Sequence, residues 1–318
     1  WLDNDFYGMT FSFNYAANNL NLILGGAAST YLGDHFGRVV WSELYSDMDH
    51  EYYRNEATKN DQNIYLKIDY TMWDLLHLFA DLQARHINYS FEGLNDDGTF
   101  AQQSVNLSPF WNPKIGLFYK FSDKTSFYAS YSVGNKEPNR NDYVESSPSS
   151  RPSHETLYDT EIGFKHRNKK LSFGINLYNM KYKNQLINTG EINDVGYSVH
   201  SNIPNSYRKG IEIESTIKLT NKLIWSGNIT VSKNKILSHI EYVDNWDTGI
   251  KEEFEYENTD ISFSPNIISS YQLHYNIKNL NLFYTFQYVG KQYLDNTQSK
   301  ERMLKSYAIN NLLCSYNL

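Results

Sequence analysis

The sequence has 318 residues, with 29 Lys and Arg against 36 Asp and Glu, giving a formal net charge of −7. It contains no run of about twenty apolar residues, and its mean hydropathy is −0.60, which excludes a helical membrane protein. The acidic balance leaves no basic stripe for phosphates, so nucleic acid is excluded as a partner. The single cysteine, Cys314, excludes a disulfide framework and cysteine-based metal sites.

In chain order, two strands are predicted at 5–16 and 20–30, joined by a tight turn near Ala17–Asn19. At 63–72 the residues Ile64, Leu66, Ile68, Tyr70 and Met72 alternate with Asn63, Tyr65, Lys67, Asp69 and Thr71. After a turn at Trp73–Leu75, the strand at 76–85 sets Leu76, Leu78, Ala80, Leu82 and Ala84 against Asp81, Gln83 and Arg85. Strands at 114–121 and 125–134 flank a turn at Ser122–Lys124 and alternate likewise, as Ile115, Leu117, Tyr119 and Phe121 show. Strands at 158–165 and 171–177 flank Arg167–Lys169, and those at 211–219 and 223–232 flank Thr220–Lys222. Strands at 267–276 and 280–288 flank Ile277–Asn279, and 305–318 closes the set. Between these pairs lie long polar stretches, expected to be irregular loops, at 31–62, 90–111, 135–155, 188–206, 237–261 and 291–304.

Short connections on one side and long ones on the other mark an all-β, antiparallel, up-and-down transmembrane β-barrel. Composition alone, with 27 Tyr, 17 Phe and 6 Trp, suits an aromatic-rich soluble β protein such as a carbohydrate-binding module equally well. Alternation decides between them, because a strand between lipid and lumen must change character at every residue. The outer row of a soluble sandwich meets water and seldom stays apolar through nearly every strand.

The count is about thirteen strands, whereas a bacterial barrel normally has an even number and leaves no edge unpaired in lipid. Residues 1–10, WLDNDFYGMT, have neither the basic start nor the apolar core of a signal peptide. Leu318 also lacks the terminal aromatic usual for such barrels. The expectation is therefore a barrel segment, residues 1–318, truncated at both ends.

The segments YASYSVGNKEPNRNDYV (128–144), RPSHETLYDTEIGFKHR (151–167), KLSFGINLYNMKYKNQLI (170–187) and NSYRKGIEIESTIKL (205–219) follow one another in fixed order. Together with LDNDFYGMTFSFNY (2–15) and GDHFG (33–37), this order resembles the barrel portion of TonB-dependent outer-membrane receptors, of a kind abundant in Bacteroidetes. The likeness covers essentially the whole chain. It implies a barrel of about 22 strands with a plug domain that this chain does not contain. It also implies active import of a bulky, scarce nutrient, an iron–siderophore or haem before cobalamin or a glycan. The implied partners are the TonB–ExbB–ExbD system reached through a missing N-terminal region, outer-membrane lipid and a surface lipoprotein. A passive porin or hydrophobic-substrate channel is the alternative. Gly134 and Pro138 are expected to turn the chain out of the membrane, and Gly210 to mark a bulge or a lumen-facing gap beside an Arg208/Glu212 pair.

No Gly-rich phosphate loop, HExxH or GxSxG elbow occurs, so no catalytic residue and no cofactor is expected. The acidic cluster Glu43, Asp47, Asp49, His50 and Glu51 lacks the spacing of a cation loop and reads as a solvated loop, as does 251–260. Candidate ligand contacts combine flat aromatics with cations in the long connections: Trp41, Tyr45, Tyr52, Tyr53 and Arg54, then Trp111 and Arg140, then Tyr197 and Trp246. For any one of them, packing at the membrane rim is the competing role. The lumen row is expected to carry Lys67, Asp69, Asp81, Arg85, Glu161, Lys165, Glu212 and Glu214, either lining a path or pairing between strands.

Overall fold

The computed structural model describes residues 1–318 except 44–47, 95–97, 99, 145, 147–150, 193–197, 246–249 and 318. Strands β1 (Leu2–Ala17), β2 (Leu20–Arg38), β3 (Glu51–Met72), β4 (Leu76–Leu94), β5 (Phe100–Ser122) and β6 (Thr125–Lys136) come first. A short helix, α1 (Arg140–Val144), separates them from β7 (Glu155–Arg167), β8 (Leu171–Ile192), β9 (Ser198–Lys218) and β10 (Leu223–Asn245). There follow β11 (Ile250–Asp260), β12 (Ile267–Ile277), β13 (Leu280–Val289), β14 (Gln292–Tyr293), β15 (Met303–Leu304) and β16 (Tyr307–Tyr316).

One antiparallel sheet takes all of these except the small β14–β15 pair. Each strand pairs with its successor. The exception is β11, which extends the upper part of β10, while β12 pairs with the lower part. The main path therefore has thirteen strands, as alternation predicts. The tight turns form where left-handed backbone is needed to match the twist of the flanking strands. Trp73 (φ 55°) and Asp74 (φ 57°) close β3–β4, Asn18 (φ 47°) closes β1–β2, and Lys278 (φ 52°) closes β12–β13.

Register confirms the predicted faces. On the outer row, Ile213 stands between Ile175 and Ile229, and Leu66 between Leu24 and Leu82. This row is exposed in the isolated chain: Ile115 is 60% exposed and Ile162 55%. Exposed apolar residues aligned from strand to strand form a lipid-facing belt rather than a water-facing surface. On the short-turn side the belt ends in a run of rings, Phe121–Phe127–Phe164–Phe173, with successive centroids 6.5, 5.2 and 6.3 Å apart. Such a run is an aromatic girdle at a membrane interface.

Four expectations are corrected. The stretches 31–62, 90–111, 188–206 and 237–261 are largely ribbons, because β2–β3 stay paired as far as Arg38 and Glu51, β4–β5 as far as Leu94 and Phe100, β8–β9 as far as Ile192 and Ser198, and β10–β11 as far as Asn245 and Ile250. The acidic run 251–260 belongs to a strand, β11, with Tyr256 stacked on His239 at 5.2 Å. Gly134 lies inside β6 opposite Leu157 and turns nothing. Gly210 is no bulge but the lumen-facing gap: it pairs in register with Tyr178 and Ser232 on the inner row of Glu212, with the Tyr178 hydroxyl lying over it, while Arg208 bonds the Ser264 hydroxyl rather than Glu212.

Candidate functional site

The inner row supplies a polar surface. Its charges are partly spent on one another. Lys67 Nζ lies 3.6 Å from Asp81 and 5.3 Å from the Tyr65 ring, while Asp69 stands level with Asn21 and Phe79. On the far wall Lys165 faces the Tyr128 ring at 5.8 Å, and the Asn176 amide donates to Glu212 at 3.3 Å. Glu214 rests against Gly174. Tyr128, Lys165, Asn176, Glu212 and Glu214 line a single hollow of this wall, and Glu161 and Arg208 line the next one.

Glycine shapes this wall at one position in particular. A Cβ on Gly163 would lie 2.0 Å from the Tyr128 ring, whose hydroxyl crosses β7 to bond Asn176 on β8 at 3.0 Å. Gly163→Val should drive Tyr128 off the wall and into the lumen, at a cost of about 1–3 kcal/mol. Urea unfolding of the barrel in lipid vesicles reads that loss. Wild-type stability in the variant would show that the ring does not need the glycine.

At the mouth, the segment after β6 folds inward over the upper inner faces of β3, β4 and β5. Tyr143 of α1 is buried to 6% exposure among Ala57 and Phe91, with Tyr89 packed beside them. Burial pushes its phenol up to about 12, so it is a neutral hydroxyl at physiological pH. Asn139 and Asp142 cap each other: the Asn139 amide N–H donates to Asp142 Oδ2 at 2.7 Å, and the return bond is 3.0 Å. Asp142 also lies 3.1 Å from His200 Nδ1 on β9.

Two cations tie the segment down. Arg85 grips Asp61 through Nε (3.0 Å) and Nη2 (2.5 Å) and reaches Glu137 through Nη1 (3.0 Å) and Nη2 (3.1 Å). Lys59 Nζ meets the same Glu137 at 2.8 Å. Burial pushes the Glu137 carboxyl up, but Lys59 and Arg85 more than offset this and hold it below the usual carboxylate range. Arg140 donates to Asn55 and, at 2.7 Å, to His35 Nδ1, and its guanidinium lies 5.5 Å from the Phe91 ring. An arginine donor at Nδ1 requires that nitrogen to be the unprotonated one.

Of the candidate ligand contacts, the structure brings Arg140 to the mouth together with the predicted lumen residue Arg85. Arg54 falls on the opposite face, the row of Ile64 and Leu66, where it binds Glu51 (2.7 Å) and Asp34 (3.3 Å) and covers the Phe36 ring at 4.5 Å. Tyr52 and Tyr53 stack edge-on beside it at 5.1 Å, and Trp41 is 72% exposed. Trp111 is not in a loop: it sits on β5 in register with Ala84 and on the outward row of Ile115. That position assigns it to the membrane rim. Tyr45, Tyr197 and Trp246 lie outside the described residues, as does Asp47. Among the described residues no group of three or more His, Cys, Asp and Glu is placed to hold a metal ion.

Sequence reasoning missed Lys59, Asp61, Glu137, His35, Asn55 and Tyr143. The first two continue the inner row of Lys67 and Asp69 by even steps. That phase was readable, had the strand been carried past residue 63.

A family model described as "TonB dependent receptor-like, beta-barrel" matches residues 2–318. No curated protein matches. Among solved structures, the siderophore receptor PiuA from Acinetobacter baumannii matches with a TM-score of 0.74 at 14% identity, over 100% of this chain and 50% of that one. The copper transporter OprC matches with a TM-score of 0.75 at 12% identity, over 100% and 48%. The ferripyoverdine receptor of Pseudomonas aeruginosa, bound to ferripyoverdine, matches with 0.62 at 17%, over 100% and 42%. The chain thus spans about half the length of these structures, and at such identities the likeness shows the fold.

Proposed function

Because the chain belongs to the TonB-dependent receptor-like β-barrel family, and so to a bacterial outer-membrane barrel, we propose that it forms the wall of a receptor for energised nutrient import. The receptor binds a bulky, scarce solute at its outer mouth and passes it inward when TonB, driven by ExbB–ExbD, acts on the full-length protein. The remaining strands and the plug belong to the rest of that protein, a reading supported by the half-length coverage of the matched structures. An iron chelate, siderophore or haem, is the substrate class, supported by the siderophore and ferripyoverdine receptors that share the fold.

The observation that carries this reading is the family match over residues 2–318. The α1 segment is held against the inner faces of β3 to β5 by Glu137 and Arg140, which places the chain's own residues at the mouth. A receptor that binds before it transports presents ligand contacts there, and because segments also fold into passive barrels, the energy dependence of uptake separates the two readings. Binding and displacement are the only chemistry these groups offer, and no covalent step is assigned to them.

The test is uptake of radiolabelled iron chelates by cells that express the full-length protein as their only such receptor. Uptake should be saturable and should stop when a protonophore collapses the proton gradient. Uptake that persists unchanged after the protonophore would make the protein a passive channel and overturn the proposal.

A further inference from the structure

On the long-connection side the sheet divides at β10. The β9–β10 ladder runs from Lys218 and Ile224 to Ser206 and Ile236 and goes no further. Two residues on, Pro204 would face Ser238, and it has no N–H to give to a ladder. On its other side β10 pairs with β12 only from Leu223 to Val231. Between Ser238 and Asn245, β10 is therefore paired with β11 alone, in a two-stranded ribbon about 24 Å long at ~3.4 Å per residue. Among the described residues no strand pairs with the second edge of β11. The segment 292–304 braces one face of the ribbon near its base, where Arg302 Nη1 lies 3.9 Å from Glu241 and Gln298 donates to Asp260 at 3.3 Å.

A two-stranded ribbon standing by itself is marginal in water. This one leaves Ile240 48% exposed and Val243 and Phe254 each 42% exposed. Its charge is also concentrated. Residues 237–257 carry seven carboxylates and one lysine, and so hold six of the seven formal net negative charges of the chain. Alternation places Glu253, Glu255 and Glu257 on one row, opposite Tyr242, Ile240 and Ser238. All three glutamates are exposed, and none has an ion-pair partner among the described residues. Two copies of this edge would set carboxylates against carboxylates, so a second copy of the chain does not fit it.

We propose that the free edge of β11 accepts an extended, basic segment of another polypeptide as a third strand. Lys or Arg at every second position of that segment stands beside Glu253, Glu255 and Glu257, and the residues between them cover Phe254. Main-chain hydrogen bonds along the edge supply the affinity, and the carboxylates select the sign of the partner. The edge takes no part in the mouth contacts of Arg85 and Arg140, and it does not depend on what the barrel transports.

Fluorescence anisotropy of the detergent-purified full-length protein tests this, with a labelled decapeptide of alternating Lys and Val as probe. The peptide should bind, and the triple variant Glu253→Gln/Glu255→Gln/Glu257→Gln should weaken it about eightfold, at about twofold for each charge pair. The corresponding Asp triple should keep most of the affinity. The same peptide methylated at every backbone nitrogen retains its charge but has no amide to donate, and it should not bind. Hydrogen–deuterium exchange supplies the location: alternate amides of β11 should exchange fast in the protein alone and slow down when the peptide is added. A heat-modifiable gel band shows that the Gln triple still forms its barrel. Equal affinity in wild type and the folded Gln triple would overturn the proposal, as would undiminished binding of the methylated peptide. Protection of every β11 amide without peptide would also overturn it. The edge would then belong to another part of the chain, or to a second copy if the protection grew with protein concentration.

Discussion

Ile115→Arg should cost the barrel about 2–4 kcal/mol in a bilayer, whereas Thr230→Arg should cost less than about 1 kcal/mol. Ile115 occupies the middle of the outward row of β5, between the rim residue Trp111 and the girdle residues Tyr119 and Phe121, in register with Ala80 and Tyr131. Thr230 is on the inner row of β10 opposite Glu212, where a guanidinium finds both water and a carboxylate. In water the order would reverse in importance. An isoleucine that is 60% exposed could be replaced by arginine within about 0.5 kcal/mol. Urea titrations of the full-length protein in lipid vesicles, followed by tryptophan fluorescence, measure both variants. Wild-type stability for Ile115→Arg would remove this row from the hydrocarbon and with it the membrane reading of the alternation.

That alternation explains how much of the molecule was legible beforehand. Lipid on one side and water on the other force a change of character at each residue, so the rows through Ile64–Met72 and Ile211–Leu219 could be read directly, and the turns at Trp73 and Lys278 with them. Above the belt both faces are wet and the signal fades. Residues 55–62, NEATKNDQ, are polar on both rows, and so the upper β2–β3 ribbon reads as a loop although it is continuously paired. The mouth site lies in that zone. Its members come from β2, β3, β4 and the segment after β6, up to 105 positions apart in the case of Arg140 and His35. Only register can assemble them. Trp111 shows the complementary difficulty: composition marks it as an aromatic near the rim, but only the count of residues from Ile115 says which way it faces.

Arg85→Met should release the mouth segment and cost about 2–3 kcal/mol at neutral pH, somewhat below the range for a fully buried pair because these side chains remain 17–24% exposed. Among the described residues the arginine alone bonds both Asp61 and Glu137. Without it Asp61 loses its bidentate partner, and Glu137 keeps only Lys59. The pH dependence gives a separate signature. In the wild type Glu137 titrates below its unfolded value, so its contribution is present above about pH 4.5 and is lost as the pH falls through its folded value. In Arg85→Met Glu137 keeps Lys59 but loses the guanidinium, so less of its lowering survives. Its folded value then rises toward the unfolded one, and the difference between wild type and variant shrinks on acidification. Wild type and variant should therefore converge between about pH 4 and 5, and diverge toward pH 7. Arg85→Lys, which keeps the charge but not the fork, should recover part of the loss. Limited proteolysis between β6 and β7 gives the structural readout, with the excess cleavage of Arg85→Met over wild type larger at pH 7 than at pH 5. An equal excess at both values, with a stability difference independent of pH, would mean that the guanidinium acts through packing alone. The tie between Glu137 and the β3–β4 wall would then not be what holds the segment in the mouth.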